Sequence, residues 1–284
     1  MPVRVFTLAA IGAVAVVGIS SASTLVAQSY APNHLRDTYD LTLSGANVIL
    51  GSDLRVDGDG GPGTSNDGES VLGLSKNKFQ PRFAFTWRPG SRHELEAGYM
   101  FVRRDASTAL STTIVFRDST YQVGRRVNTK FNSDQAFLNY RFAFWNKPTS
   151  QVGVGVGVGA LFLDVSLDAL VGGSSNSVQF SRAKTYTAPT GSVGGFGKWA
   201  FGSQSILLAD LRAIKVNIGD LDATIYEGGV SYRYYFVPKF GGELGYGGSS
   251  YHLNLTQKND SGGDMNTDLK YSLQNIRFGL VIVL

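Results

Sequence analysis

Eleven of the chain's ionisable residues share one rule. Arg82, Arg141, Lys198, Arg212, Arg233 and Arg277, and with them Glu94, Glu96, Asp210, Glu227 and Glu243, lie in stretches where apolar residues take alternate positions, and each takes the other phase. Side chains that alternate at period two stand on opposite faces of a strand. The basic and acidic members are close to balance. Gathered in a confined space they must pair and hydrogen-bond, because a stranded buried charge costs several kcal/mol. Two chemistries follow from such a set: a structural ion-pair network, or the lining of a narrow pore for ions or small solutes.

Covalent catalysis needs a different kit, a nucleophile within reach of a base that a third group orients. The chain has 3 histidines and no cysteine. His34 precedes the first regular stretch, His93 stands beside a short turn, and His252 shares a strand face with Ser250 and Asn254. His252 is the best-placed base for a lipid-modifying enzyme or an aspartyl/histidine protease, yet a solvated rim accounts for the same three polar residues. No catalytic residue is assigned. The Gly/Asp-rich run at Asp57-Gly58-Asp59 has its glycine out of place for a calcium loop and no glutamate at the required spacing, so it reads as a solvated loop. Val152 to Gly159 alternates valine and glycine with no following helix or Lys-Ser/Thr, which excludes a phosphate loop. Nothing calls for a metal or a cofactor.

The elements that must carry these residues are strands. Alternation places them at about Asp37–Arg55, Lys76–Arg88, His93–Arg103, Val127–Trp145, Gln151–Asp168, Thr185–Phe201, Ile206–Val216, Ala223–Phe236, Phe240–Thr256 and Tyr271–Leu284. That is about ten strands, with 8 or 12 possible according to how residues 112–123 are assigned. In the last of them Ile276, Phe278, Leu280, Ile282 and Leu284 form one apolar face, and Asn275 and Arg277 stand on the other. In the Gly-Val stretch the valines predict an outward face, and the glycines leave room inside for large neighbours.

Ahead of the strands, Arg4, an apolar run from Phe6 to Ile19 and small residues up to Ala27 have the three parts of a secretory signal. We therefore expect a signal peptide over 1–27, cleaved after Ser23 or Ala27, and one domain over 28–284. The 284 residues are 17% charged and carry 35 glycines, fewer charges and more glycine than an ordinary soluble domain. A formal net charge of +4, evenly spread, argues against a nucleic-acid partner. With no cysteine, an exported chain must hold itself together by other means, and a closed hydrogen-bonded barrel is one.

The connections choose between a secreted sandwich and a membrane barrel. Short turns near Pro89, Lys147, Ser203 and Pro238 alternate with long connections near Gly60, Thr112, Gly173 and Asp260. That is the rhythm of a transmembrane barrel with short periplasmic turns and longer outer loops. Trp87, Phe144, Trp145, Trp199, Phe201, Tyr235 and Phe236 fall next to the short turns, where an interfacial aromatic girdle belongs. Residues 112–116 and 121–123 predict a small hairpin rising from the outer rim. The fold expected is all-β: a closed, antiparallel, up-and-down transmembrane barrel.

The run from Pro81 to Tyr99, the segment Thr113 to Val123 and the closing Ile276 to Leu284 resemble the small outer-membrane β-barrel proteins of Gram-negative bacteria. The resemblance covers the mature chain. It implies that fold, a place in the cell outer membrane, contact with lipid or lipopolysaccharide, and insertion by the barrel-assembly machinery. Such barrels commonly end in an aromatic residue, whereas this chain ends in Leu284. The expected function is a non-enzymatic barrel with a charge-paired lumen, serving envelope structure or surface interaction. A porin-like channel is the alternative, and an outer-membrane lipid-modifying enzyme the third.

Overall fold

The computed structural model describes residues 33–57, 61–116, 119–171, 178–258 and 264–284. The expected signal segment lies outside them. The strands are β1 (Tyr39–Val56), β2 (Asn66–Asp67), β3 (Asn77–Gly90), β4 (His93–Met100), β5 (Arg103–Ala109), β6 (Ile114–Phe116), β7 (Ser119–Tyr121), β8 (Arg126–Lys147), β9 (Ser150–Val171), β10 (Val178–Phe201), β11 (Ser205–Ile218), β12 (Leu221–Val237), β13 (Phe240–Lys258) and β14 (Asp264–Val283).

All wall pairings are antiparallel, in the order β14-β13-β12-β11-β10-β9-β8-β4-β3-β1, and β14 pairs back onto β1 from Asp40↔Val283 to Val56↔Thr267. The sheet thus returns on itself as an up-and-down ring. β5 continues the line of β4 along β8, and β2 lies against the outer end of β1. Two corrections to the sequence reading concern length. Residues 169–171 and 178–181 belong to strands, with β10 paired to β9 up to Val178↔Val171. β13 and β14 likewise run past the expected loop edges to Lys258 and Asp264.

Short turns at one end link β3 to β4, β8 to β9, β10 to β11 and β12 to β13. At the other end β11 and β12 are joined by Gly219–Asp220 alone, with Gly219 at φ 57°, a left-handed conformation that glycine adopts without strain.

Along each long strand the alternation changes sense partway up. On β14 the outward residues are Asn266, Asp268, Lys270, Ser272 and Gln274, then Ile276, Phe278, Leu280, Ile282 and Leu284. Its inward residues run Leu269, Tyr271 and Leu273, then Asn275, Arg277 and Gly279. β1 repeats this, with Asp40, Thr42 and Ser44 inside below and Ala46, Val48, Leu50 and Leu54 inside above. β8 does the same, with Leu138 and Phe144 outward near the short turns and Lys130 and Asn128 outward above, where Phe131 and Val127 turn in. So does β9, where Val154, Val156 and Val158 are exposed and Leu161, Leu163, Val165 and Leu167 are buried.

The barrel therefore has two storeys. In the lower one, apolar side chains face out and polar ones face in, the arrangement hydrocarbon requires. In the upper one, apolar side chains face in and polar ones face out, the arrangement water requires. The larger hydrophobic cluster, from Ala46 and Val48 through Phe131 and Leu163 to Tyr271 and Leu273, lies in the upper storey.

Candidate functional site in the barrel interior

The lower lumen is crossed by ion pairs. Glu94 of β4 accepts from Lys198 of β10, from Arg88 Nε at 2.7 Å and from Arg141 Nη1 at 2.6 Å. Arg141 also meets Glu96 at 2.8 Å, and Glu96 takes Arg82. Arg88 bridges to Asp40 at 2.7 Å, Asp40 to Arg233 at 3.5 Å, Arg233 to Glu243 at 2.7 Å, and Glu243 to Arg277 at 2.9 Å. The chain of contacts joins every wall strand except β9 and β11. Lys198–Glu94 and Asp40–Arg233 link strands that are not neighbours in the ring, so these side chains span the interior.

A second group lies above. Arg212 Nη1 donates to Asn139 at 2.6 Å, and its guanidinium stands 3.4 Å from Asp210 and 3.6 Å from Glu227. The structure thus brings all of the singled-out ionisable residues into the lumen, in two groups. Arg88 and Asp40 were missed. Both sit in phase with Arg82 and Thr42, but each lies at a strand end, where alternation is hardest to read.

The Gly-Val stretch of β9 explains how the lumen holds so many long side chains. A Cβ on Gly157 would stand 2.5 Å from Asn139 Oδ1 and 2.8 Å from Ser192 Oγ. One on Gly153 would stand 2.7 Å from the Phe196 ring. Beside the ion-paired groups the spaces left are small: about 140 Å³ beside Arg212, Glu227 and Asn275, and about 60 Å³ beside Glu94, Lys198 and Glu243.

At the short-turn end, residues 33–37 lie across the mouth. The Asn33 amide donates to Pro148 O at 3.0 Å and Arg88 Nη1 to Asp37 O at 2.9 Å. Leu35 is buried with Ile206, Tyr235 and Val281. His34 stacks on Tyr235 at 3.6 Å and pairs with Asp37 at 2.6 Å. Tyr235 is therefore an inward residue, which corrects its place in the expected aromatic girdle. Trp87, Phe144, Trp145, Trp199, Phe201 and Phe236 are exposed.

The upper end is covered too. Within the connection from β1 to β3, Leu72 and Leu74 are buried in the core, so this is an inward-folded cap and not the solvated loop expected. Its anchor is Glu69, which pairs with Arg104 and accepts from Ser52 N and Oγ, each at 2.9 Å. Arg104 stacks over Phe131 at 4.6 Å. Asp57 accepts from Gly63 N and Arg55 Nε; burial pushes its carboxyl up, but these hydrogen bonds prevail and hold it below the ordinary range. Residues 58–60 of the Gly/Asp run lie outside the described residues. The β6–β7 hairpin folds over the interior and does not rise from the rim: Ile114 and Tyr121 are buried in the core, and Tyr121 OH donates to Leu167 O. Asp118 lies outside the described residues.

His252 faces outward above the apolar belt. Its Nε2 lies 3.4 Å from Asp268 Oδ1 and 3.4 Å from Asn254 Nδ2, and it lines none of the interior spaces given above. His93 is also outward, hydrogen-bonded to Tyr140 OH at 2.7 Å. Among the described residues no cluster of three or more His, Cys, Asp or Glu could hold a metal ion.

No family profile and no curated protein sequence matches the chain. Solved structures do. The outer membrane protease OmpT from Escherichia coli is similar at a TM-score of 0.52 and 10% identity, over 87% of this chain and 97% of that one. The translocator domain of the autotransporter NalP from Neisseria meningitidis matches at 0.45 and 12%, over 86% and 88%. At these identities the likeness concerns the fold, which is that of the Gram-negative outer-membrane β-barrels.

Proposed function

We propose, from the premise that this is an outer-membrane β-barrel, that it acts without catalysis, as a sealed barrel serving envelope structure and surface interaction. The carrying observation is that the lower lumen is crossed and both mouths are covered: Lys198–Glu94 and Asp40–Arg233 span the lower lumen, Leu35 lies across the lower mouth, and Leu72, Leu74 and Ile114 fold in at the upper end. A pore needs a continuous water path, and the spaces beside the ion-paired groups, about 140 and 60 Å³, are pockets. An active site needs a cleft, and His252 stands on the convex outer wall.

What the protein offers its surroundings is its outside. The belt from Phe278 to Phe83 meets lipid chains, and the outward, exposed Arg126, Lys130 and Lys270 above it suit lipopolysaccharide phosphates. The apolar outward face of β14 is the part the barrel-assembly machinery would engage.

Planar-bilayer recording of the purified barrel tests this. The sealed lumen predicts no single-channel steps across varied voltage and salt. Regular steps that change on replacing Arg141 or Arg277 would establish the channel reading in its place.

A further inference from the structure

Besides these small pockets, the interior contains a large apolar space in the upper storey. It has about 480 Å³ and is bounded by Phe131, Leu163, Val165, Ala188, Ile214 and Leu253. Its size falls within the roughly 300–1,000 Å³ of pockets that take small organic ligands. An apolar cavity is a poor place for water and a good one for hydrocarbon.

The wall beside it is incomplete. β10 and β11 pair only from Phe201↔Ser205 up to Val193↔Ala213. Above that level β10 stays with β9 as far as Val178 and β11 stays with β12 as far as Ile218, but no ladder joins the two. Pro189, which supplies no N–H, sits in this unpaired stretch, where proline is tolerated. The cavity is bounded there by Thr187, Pro189 and Gly191, whose phase on β10 is the outward one of Val193 and Trp199. The space therefore reaches the outer surface through a slit in the wall.

The height of the slit says what would use it. Val193 and Leu211, just below, are exposed at the top of the lipid-facing belt, and Val158 and Phe162 stand beside it on β9. Above this level outward residues are polar, and Lys215 of β11 is exposed at the slit's edge. A chain entering sideways from the outer leaflet would leave an anionic head beside the Lys215 ammonium.

We propose that this cavity binds one hydrocarbon chain of an anionic amphiphile, taken laterally between β10 and β11, with Lys215 holding the headgroup. The cavity shares Thr190 and Gly191 with the small space beside Arg212 but is lined by none of the ion-paired residues, so a conductance result and a binding result are read independently. The same acyl chemistry is available from a free fatty acid and from a membrane phospholipid.

The test uses the full barrel held in amphipol, free of detergent, titrated with cis-parinaric acid. Saturable binding at one probe per barrel is expected, weakened tenfold or more by Ala188→Trp and severalfold by Lys215→Gln. Displacement by palmitate alone identifies the free acid as ligand; displacement also by phosphatidylglycerol vesicles identifies a lipid chain. Heat-modifiable mobility reports whether Ala188→Trp has folded; if it has not, saturable binding that Lys215→Gln weakens carries the proposal. Absence of saturable binding to the native chain, or binding that a folded Ala188→Trp barrel leaves unchanged, overturns it.

Discussion

Lys198 of β10 reaches past β9 and β8 to the Glu94 carboxylate on β4, which Arg88 and Arg141 also hold. Glu94 is thus the acid on which three cations converge, and its side chain is only 7% exposed. Removing it leaves like charges facing each other in a closed space. Breaking a buried pair by deleting one partner costs about 3–5 kcal/mol. Glu94→Gln should lower the temperature at which the barrel loses its heat-modifiable mobility, while the paired change Glu94→Gln/Lys198→Met should recover part of the loss.

The change of face along each strand makes neighbouring outward positions unequal. Leu280 lies in the belt and Gln274 lies above it on the same face of β14. An arginine on the lipid face costs about 2–4 kcal/mol at the bilayer midplane and about 0–1 near the interface. Leu280→Arg should destabilise the refolded barrel by about that larger amount in urea titrations in vesicles, and Gln274→Arg should leave it nearly unchanged.

In the upper cap, Arg104 is 1% exposed and rests on Glu69 and Ser52. A double-mutant cycle on Glu69→Gln and Arg104→Met, read by unfolding in urea, should show each single change costing about 3 kcal/mol and the double change costing less than their sum. Limited proteolysis should cut within residues 61–76 in either single variant first.

Asp57 sets a pH limit on the same cap. Its folded carboxyl titrates below its unfolded value, so the stability it contributes is present above about pH 4 and is lost as pH falls through the folded value. Exchange protection of the Gly63 amide should therefore hold at pH 6 and fall towards pH 3. Asp57→Asn should remove that pH dependence.

Alternation alone was enough to read the ring of strands, the position of the short turns and the phase of Arg82, Glu94, Arg141, Glu243 and Arg277. These residues sit mid-strand with apolar neighbours on both sides, where the pattern is cleanest. Asp40 and Arg88 were hidden because strand ends blur into turns. The upper storey was hidden for another reason. Tyr271 and Leu273 take the phase of Arg277, so a single phase assigned to all of β14 from its lower half hides the hydrophobic core. Leu72 and Leu74 sit in a glycine- and aspartate-rich run whose composition suggests solvent, and their burial together with the Glu69–Arg104 pair accounts for its folding inward. The slit between β10 and β11 has one trace in the sequence, Pro189, which by itself fits any edge.

The two-storey arrangement is most directly tested on β14. Single tryptophans at 268, 272, 276, 280 and 282 in a background lacking the three native ones, refolded into vesicles of brominated lipid, would report which outward positions touch hydrocarbon. The account predicts strong quenching at 276, 280 and 282 and almost none at 268 and 272. Uniform quenching along the strand, or quenching strongest at 268, would contradict it.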